Sequence, residues 1–411
     1  MESSFCSVDV VVIGAGPSGA VVSALLNKRG YRVLVLEKEH FPRFSIGESL
    51  LPQCMTFLEE AEMVEAVQDA AFQFKNGAAF TWGDEYDFFN FSEKFTEGWG
   101  TTFQVQRDRF DKLLADEAAK QGVEIRYGHT VSAFENTDGK VLLAVDSEES
   151  GAYEVEAKMA LDASGFGRVL PRLLDLEKPS ELAVRTALFT HIEDHIGSHE
   201  FDRDKILVTV HPEHRDIWYW LIPFSNGRSS VGVVAPREFL ATMPGDPELQ
   251  LKTLISEGGR LARVLTDAVF DTPVGVIEGY SSSVKRLHGE GFALLGNAGE
   301  FLDPVFSSGV TIALKSASLA AEVVDRELSN KTPDWEQEYA APLMVGVNAF
   351  REFVDGWYDC RLQDVIFAKE KSAQVKRMIS SVLAGYAWDT DNPYVRESSR
   401  LTTLAELCRD Q

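Results

Sequence analysis

The N-terminal part of the chain alternates between short apolar runs and one helical pattern. Val10–Ile13 and Arg32–Leu36 are apolar runs rich in β-branched residues, which is typical of buried strands. Between them, Gly14–Gly19 is rich in glycine and Ala20–Leu26 has the pattern of a helix. The chain is therefore predicted to begin with a strand, a tight turn, a helix and a second strand.

This glycine turn has the spacing of an adenine-dinucleotide site. Gly14 allows the turn, Gly16 lets a pyrophosphate approach the helix N-terminus, and Gly19 lets the helix pack closely on the strand. Glu37 ends the second strand about 20 residues beyond the turn, where an acidic side chain binds a ribose hydroxyl. An ordinary glycine-rich turn is the alternative, but strand, helix and terminal acid together favour a dinucleotide.

A second glycine turn lies far downstream and favours FAD over NAD. Phe292–Leu295 reads as a strand that breaks into Gly296–Gly299, and Thr311–Ala317 reads as a helix shortly afterwards. Leu161–Gly165 is a further apolar strand, ending in Asp-Ala-Ser-Gly. A ligand that contacts segments so far apart in the chain must be long, as FAD is.

The rest of the chain divides into strand-rich and helical stretches. Runs such as Ile206–Val210 predict strands, whereas the chain from about residue 331 reads as helix. We predict a mixed α/β (α+β) fold: a Rossmann-like FAD-binding lobe of residues 1–70, 105–180 and 285–330, an interleaved β-sheet substrate lobe of residues 71–104 and 181–284, and a helical region of residues 331–411. Core packing is favoured over a substrate wall for four aromatic residues in that region: Phe350, Phe353, Trp357 and Tyr358.

Composition narrows the function classes. The net charge of −24 disfavours nucleic acid as a partner, because a phosphate backbone would be repelled. The four cysteines include no CxxC pair, which suits a reducing cytosol and argues against a zinc site. His191, His195 and His199 have i,i+4 spacing, but Gly197 interrupts them, so no metal is expected. With no signal-like segment or long apolar run, the protein is expected to be cytoplasmic and not to bind a membrane.

Three further motifs make a family resemblance specific. Trp218-x-Trp220-x-Ile222-Pro223 resembles the tryptophan-rich signature of flavin-dependent halogenases, and Phe301–Gly309 resembles their second signature beside the flavin. Phe41–Pro52 resembles the loop by which these enzymes grip the flavin. The resemblance extends to about residue 360 and is nearest to the phenol and pyrrole halogenases, within the p-hydroxybenzoate-hydroxylase-like flavoproteins.

The resemblance implies roles for individual residues. Trp218 and Trp220 would stand between flavin and substrate, although on pattern alone they are an aromatic strand with two faces. Lys75 would guide hypohalous acid to the substrate, and its apolar neighbours predict a buried amine with a lowered pKa. Backbone amides of Ser308 and Gly309 would hold halide at a helix N-terminus. Glu48 has either a catalytic role or one in flavin support. The residues expected to contact FAD are Gly14, Ala15, Gly16, Pro17, Ser18, Gly19, Glu37, Lys38, Arg43, Ile46, Gly47, Ser49, Arg107, Asp162, Gly165, Asp303, Pro304, Gly309 and Val310.

These expectations describe an FADH2-dependent halogenase that uses oxygen and chloride or bromide, with a separate flavin reductase as partner. Its substrate would be an electron-rich aromatic such as a phenol or pyrrole, either free or tethered to a carrier protein. The alternatives are a flavin monooxygenase or a reductase of the geranylgeranyl type, in which the tryptophans merely line the pocket. An escort protein of the same fold that has lost flavin is a third alternative, which the intact glycine turn and Glu37 oppose.

Overall fold

The computed structural model describes residues 5–197, 201–370, 372–397 and 399–409. Its strands are β1 (Phe5–Ser7), β2 (Val10–Ile13), β3 (Val33–Glu37), β4 (Gln73–Lys75), β5 (Gly77–Trp82), β6 (Glu85–Asn90), β7 (Thr102–Gln104), β8 (Glu124–Tyr127), β9 (His129–Thr137), β10 (Lys140–Ser147), β11 (Gly151–Ala157), β12 (Met159–Asp162), β13 (Glu177–Lys178), β14 (Arg185–Glu193), β15 (Lys205–Val210), β16 (Trp218–Pro223), β17 (Arg228–Pro236), β18 (Gly275–Glu278), β19 (Ser283–Val284), β20 (His288–Gly289) and β21 (Phe292–Leu294). Its α-helices are α1 (Pro17–Lys28), α2 (Gln53–Glu60), α3 (Val64–Asp69), α4 (Arg107–Lys120), α5 (Val169–Leu173), α6 (Arg237–Thr242), α7 (Pro247–Glu257), α8 (Arg260–Val264), α9 (Ser308–Leu328), α10 (Ala341–Tyr358), α11 (Arg361–Ile366), α12 (Ala373–Leu383), α13 (Pro393–Arg396) and α14 (Ser399–Arg409).

A six-stranded sheet carries the glycine turn. Its order is β20-β21-β12-β2-β3-β8, and all neighbours except β20 and β21 run parallel. The residues of β2 and β3 are all buried, as expected for parallel strands covered on both faces. Helix α1 follows β2 directly and packs against α4 and α9. This arrangement confirms the predicted strand, turn, helix and strand.

A four-stranded sheet of order β1-β11-β10-β9 lies beside this unit. It is antiparallel except where β1 runs parallel to β11. The start of β9 reaches the glycine turn, because residues 129–131 line the same cavity. The sheet therefore supplies a wall that the sequence did not indicate.

A seven-stranded sheet forms the second large layer, in the order β18-β14-β17-β16-β15-β5-β6. Strand β16 lies inside it, paired with β15 and β17, and its six residues are all buried. Trp218, Trp220 and Ile222 face the main core, whereas Tyr219 and Leu221 face a second core. This is the period of two expected of a strand, so both tryptophans point to one side.

The C-terminal region is helical, as predicted. Helix α10 presents Phe350, Phe353 and Trp357 to the main core, where each is at most 1% exposed. Trp357 contacts Phe80 of β5 and Phe306, with ring centroids 6.0 and 5.9 Å apart. The helix therefore packs between the seven-stranded sheet and the segment that precedes α9.

Candidate active site

The turn after β2 requires glycine at two positions, because a side chain there would collide with the backbone. Gly14 has φ +96°, and a Cβ placed on it would lie 2.7 Å from the carbonyl oxygen of Ala163. A Cβ on Gly19 would lie 1.9 Å from the carbonyl oxygen of Gly14. Both positions therefore require glycine, which confirms that the turn depends on a close approach of strand and helix.

Glu37 closes the turn from the neighbouring strand. Its Oε2 accepts a hydrogen bond from the amide of Ala15 at 2.8 Å, and the Arg43 guanidinium lies 3.9 Å from the same oxygen. Arg43 also donates to Asp111 at 3.3 Å. These contacts fix the Glu37 carboxylate at the edge of the cavity where a ribose would lie.

Arg107, at the first turn of α4, braces the loop of residues 41–52. Its guanidinium donates to both oxygens of Asp111, at 2.7 and 3.0 Å, and to the carbonyl oxygen of Ile46 at 2.6 Å. It also lines the cavity beside Gly47. Arg107 therefore positions the loop residues that face the cavity. Arg109, by contrast, donates to the carbonyl oxygen of Ala70.

A cavity of about 330 Å³ lies at the carboxyl ends of β2, β3 and β12, and we refer to it as the dinucleotide cavity. Its volume falls within the range typical of ligand pockets. Predicted FAD contacts that line it are Gly14, Gly16, Pro17, Ser18, Glu37, Lys38, Arg43, Ile46, Gly47, Arg107, Gly165, Pro304, Gly309 and Val310. The sequence did not single out residues 129–131, 166, 167 and 169, which also line it.

One buried polar atom in this cavity has no partner. Asn297 Oδ1 is buried without a hydrogen bond, and Asn297 lines the cavity close to Gly309. A buried acceptor in a folded protein is normally satisfied, so this oxygen calls for a donor from a ligand. FAD carries hydroxyl and imide donors, and the residues present therefore fit it.

Two of the three acidic residues predicted to contact FAD, Asp162 and Asp303, form hydrogen bonds within the protein. Asp162 is fully buried and accepts from the amides of Ser164 at 2.9 Å and Leu170 at 2.6 Å. It shapes the turn that places residues 163–167 at the cavity, but does not line the cavity itself. Asp303 likewise does not line it, because its carboxylate is directed at two tyrosines. Ala15, Gly19, Ser49 and Ser308 also lie outside the lining.

The two tryptophans of β16 form a wall with fixed ring positions. Their ring centroids are 5.9 Å apart. Trp218 Nε1 donates to the hydroxyl of Tyr358 at 2.9 Å, and Trp220 Nε1 donates to Ser230 Oγ at 3.1 Å. Because each indole is buried and hydrogen-bonded, neither ring rotates freely.

A chamber of about 30 Å³ lies against this wall, and we refer to it as the tryptophan chamber. That volume suffices for one or two water molecules or a halide ion. The residues that line it are Ile46, Gly47, Glu48, Ser49, Ile206, Trp218, Trp220, Ile222, Pro304 and Ser307. Since Ile46, Gly47 and Pro304 also line the dinucleotide cavity, the two spaces are neighbours.

Lys75 lies behind Ser49, one hydrogen bond away from this chamber. Its side chain is fully buried, and Nζ donates to Ser49 Oγ at 2.8 Å and to the carbonyl oxygen of Leu50 at 2.7 Å. The ring of Phe91 lies 5.5 Å from Nζ. Burial lowers the pKa of Lys75 to about 7, because an ammonium is disfavoured away from water. The predicted buried amine with a lowered pKa is confirmed.

Glu48 forms a pair that the sequence did not indicate. Only 3% of it is exposed, and it lines the tryptophan chamber. His191 Nε2 donates to Glu48 Oε1 at 2.7 Å. The two residues lie 143 positions apart in the chain, and no local motif marks the histidine.

A second network joins the tryptophan wall to α10. The hydroxyl of Tyr358 donates to Asp303 Oδ2 at 2.8 Å while accepting from Trp218, and Tyr280 donates to the same carboxylate oxygen at 3.0 Å. The Arg185 guanidinium lies 3.5 Å from the centre of the Tyr358 ring. Burial raises the pKa of Asp303. Tyr358 was expected to be a packing residue, but it connects the wall to the segment before α9.

The start of α9 completes the site. Ser307 has φ +56° and precedes the 21-residue helix, which begins at Ser308. Gly309 and Val310 face the dinucleotide cavity, whereas Ser307 faces the tryptophan chamber. The amides of this first turn carry the positive end of the helix dipole.

The two described histidines of the i,i+4 trio have separate partners. His191 contacts Glu48, and His195 lies 3.5 Å from Glu193, while His199 lies outside the described residues. Within the described part of the chain, no three His, Cys, Asp or Glu side chains are grouped as metal ligands. No helix described here is both long and apolar enough to cross a bilayer.

Comparisons with known proteins agree with this geometry. The model of the FAD binding domain family matches residues 7–243. The 1H-pyrrole-2-carbonyl-[peptidyl-carrier protein] chlorinase of Pseudomonas fluorescens is 29% identical over 399 residues, covering 88% of this chain and 86% of the relative. The corresponding brominase of Pseudoalteromonas luteoviolacea is 28% identical over 345 residues, covering 82% of each chain.

Solved structures show the same fold. A flavoprotein/dehydrogenase from Cytophaga hutchinsonii is 44% identical with a TM-score of 0.95, covering 98% of this chain and 99% of that one. The myxobacterial chondrochloren halogenase, an FAD-dependent halogenase, is 26% identical with a TM-score of 0.74, covering 98% and 97%. The resemblance to flavin-dependent halogenases is thus confirmed. Since the family model spans more than half of its residues, the chain belongs to the FAD binding domain family of flavoproteins, with flavin-dependent halogenases among its relatives.

Proposed function

We propose that the protein is an FADH2-dependent halogenase that makes hypohalous acid from oxygen and chloride or bromide and transfers the halogen to an electron-rich aromatic. The observation that carries the proposal is the position of Lys75. Its amine lies one hydrogen bond from a chamber that is walled by Trp218 and Trp220 and borders the dinucleotide cavity.

The dinucleotide cavity would hold FAD, which supplies the oxygen activation when bound in its reduced form. Gly14 and Gly16 face the cavity at the start of α1, where a pyrophosphate is favoured. Glu37 supports a ribose contact, and Asn297 Oδ1 is free to accept from the ligand. For Asp162 and Asp303 we propose only the turn and the tyrosine network described above.

The tryptophan wall would separate the dinucleotide cavity from the aromatic substrate. Trp218 and Trp220 fill the space beside the chamber with rigid rings, so an aromatic substrate beyond them does not touch the dinucleotide cavity. Oxygen transfer directly to the substrate would thereby be disfavoured, and hypohalous acid would carry the halogen instead. The first-turn amides of α9 at Ser308 and Gly309 would hold the halide without a basic side chain.

Lys75 would pass the halogen onward. With a pKa of about 7, the amine is present in both protonation states at neutral pH. The ammonium form donates a hydrogen bond to hypohalous acid, and the neutral form is a nucleophile toward its halogen. A lysine of ordinary pKa is almost entirely in the ammonium form at neutral pH, so it lacks the nucleophilic role.

The substrate class follows from the relatives. Two relatives, at 29% and 28% identity, act on a pyrrole-2-carbonyl group carried by a peptidyl-carrier protein. We propose a pyrrole or phenol as substrate, either free or carrier-tethered, and a separate flavin reductase as the source of FADH2. Because the reductase needs NADH or NADPH, a cytoplasmic location is proposed as well.

The test is product analysis with a matched lysine control. Purified protein receives FAD, a flavin reductase, NADH, oxygen and bromide with a panel of phenols and pyrroles, and mass spectrometry identifies brominated products. Lys75→Met removes the amine while keeping the side-chain volume. Lys94→Met is the control, since Lys94 is also buried and donates to the carbonyl oxygen of Gly98, away from both cavities.

We expect Lys75→Met to lose about 100-fold or more of the bromination rate, as for removal of an acid–base group, and Lys94→Met to retain it. Hydroxylated product that does not depend on bromide would contradict the halogenase proposal and indicate a monooxygenase. Bromination by Lys75→Met at the wild-type rate would contradict the role of the lysine.

A further inference from the structure

The tryptophan chamber has one acid–base side chain among the described residues that line it, namely Glu48. The other members of the lining are apolar, glycine, proline or serine. A carboxylate that is 3% exposed normally has a partner, because an isolated buried charge is costly. Its partner is His191, with Oε1 and Nε2 2.7 Å apart.

His191 connects this buried carboxylate to the surface. It lies on β14, and 25% of its side chain is exposed, in contrast to 3% for Glu48. The rings of Phe44 and Phe224 lie edge-on to the imidazole, with centroids 5.8 and 5.3 Å away. Phe44 is itself 57% exposed, so this end of the pair reaches water.

The proposed reaction needs a proton at this place. In net terms, reduced FADH2, O2, halide and one proton give FAD, hypohalous acid and water. The subsequent substitution replaces a ring hydrogen by halogen and releases water, and needs no further proton. One proton must therefore enter a small chamber in every turnover, and its source must be recharged from solvent. Lys75 is fully buried behind Ser49, whereas His191 is partly exposed.

We propose that His191 and Glu48 deliver this proton to the tryptophan chamber. Glu48 is the group that faces the chamber, and His191 is the positioning residue that protonates it and exchanges with solvent. The inference rests on the proposed halogenase function and goes beyond it by naming a proton source. Without that proton, reduced flavin and oxygen still yield hydrogen peroxide, since that reaction consumes neither halide nor an added proton.

The electrostatic surroundings support a protonated histidine. Burial lowers the pKa of His191, but the hydrogen bond and charge of Glu48 outweigh it, and the net shift is upward. Two further charged groups face the imidazole: Arg228, which lowers the pKa, and Asp108, which raises it. With a raised pKa, His191 carries the proton at low pH and loses it as the pH rises through that pKa.

The experiment measures how one turnover is divided between two products. Protein with bound FADH2 is mixed with oxygenated bromide buffer between pH 6 and 9. Hypobromous acid is trapped by an excess of a free amine, and hydrogen peroxide is measured in parallel. Bound flavin is quantified for each variant before mixing, so that peroxide made by unbound FADH2 is subtracted and a merely structural defect is distinguished from loss of the proton source.

We expect the bromine fraction of the wild type to fall as pH rises. His191→Gln and Glu48→Gln should lower the ratio of hypobromous acid to hydrogen peroxide by about tenfold or more. In both variants this ratio should no longer depend on pH. The matched control is His211→Gln, because His211 also pairs with a glutamate, Glu257 at 3.4 Å, but lies away from the chamber. It should behave as the wild type does.

A wild-type product ratio in His191→Gln at every pH would overturn the proton source while leaving the halogenase function in place. Peroxide alone from the wild type at every pH and bromide concentration would instead overturn the halogenase function. The pair itself is checked without turnover by NMR titration of the histidine ring. His191 should titrate above the usual value of about 6.5 for histidine, and Glu48→Gln should lower its midpoint. An unchanged midpoint would contradict the coupling.

Discussion

Replacing Lys75 by methionine should make the protein more stable at low pH while it lowers the halogenation rate about 100-fold or more. The lysine is fully buried, and its pKa is lowered from 10.5 to about 7. A pKa change of that size means that burying the ammonium form lowers the free energy of unfolding by about 5 kcal/mol. Methionine has a similar volume and no charge, so it relieves this cost.

The gain in stability is offset in part by the loss of two hydrogen bonds. Lys75→Met leaves Ser49 Oγ and the carbonyl oxygen of Leu50 without their donor. An unpaired buried acceptor costs about 1–3 kcal/mol, and the hydroxyl of Ser49 can turn to another partner. The net expectation at pH 6 is a stabilisation of about 2–4 kcal/mol.

The sign of the pH dependence is the decisive feature. Between pH 7 and 10.5 the unfolded chain still binds the proton that the folded lysine has released, so raising the pH stabilises the wild type. Lys75→Met lacks this contribution. The stability difference between the two proteins should therefore shrink across that range and reverse near its upper end, where the lost hydrogen bonds dominate.

Urea unfolding of the apoprotein at a series of pH values measures this difference. Groups remote from Lys75 titrate alike in the two proteins, so their contributions cancel; the buried Cys54 thiol, whose pKa is raised by burial and lowered by the Lys75 charge, is the neighbour that does not. Lys94→Met serves as a control with a smaller effect, because burial also lowers the pKa of Lys94 but it keeps more solvent contact. A stability difference that stays constant from pH 6 to 10 would refute the claim that the Lys75 ammonium is buried at a cost.

Contacts of Tyr358, Gly19 and Ser49 give three further predictions. Tyr358→Phe leaves the indole N–H of Trp218 unpaired and should lower the melting temperature by the equivalent of about 1–3 kcal/mol, with a shift in tryptophan fluorescence. Gly19→Ala forces a Cβ to within 1.9 Å of a carbonyl oxygen in the glycine turn, so FAD affinity measured by fluorescence titration should fall at least about tenfold. Ser49→Ala removes the hydroxyl between Lys75 and the chamber and should lower bromination without lowering peroxide production; an unchanged product ratio would argue against that contact.

The features that could be predicted from the sequence are those whose physical cause lies close to them in the chain. The glycine turn follows from close backbone approach at Gly14 and Gly19, and the common face of Trp218 and Trp220 follows from the period of a strand. The burial of Lys75 also followed from its apolar neighbours. In each case the physical cause lies within a few residues of the feature.

What the sequence missed depends on partners far apart in the chain. Asp303 was assigned to the cofactor because it lies in a motif, and the motif gave no sign that its carboxylate accepts from Tyr280 and Tyr358; its role toward FAD stays a prediction. The i,i+4 spacing of His191 gave no sign of its pairing, since its partner Glu48 comes from a loop in another part of the chain. The lobe boundaries, the halide site and the FAD contacts remain predictions, because sheet order alone does not decide them.

Three consecutive residues explain why the parts of this site should act together. Gly47 lines both the dinucleotide cavity and the tryptophan chamber, Glu48 pairs with His191, and Ser49 accepts from Lys75. Their backbone is held to the segment of β7, because Val105 donates to the carbonyl oxygen of Glu48 at 2.7 Å and Leu50 donates to that of Phe103 at 3.1 Å. Any displacement of this tripeptide by a bound ligand therefore moves the proton donor and the hydroxyl beside the lysine in the same event. FAD that presses on Gly47 would thus align the acid and the amine at one time, which is a physical reason for them to occupy adjacent positions.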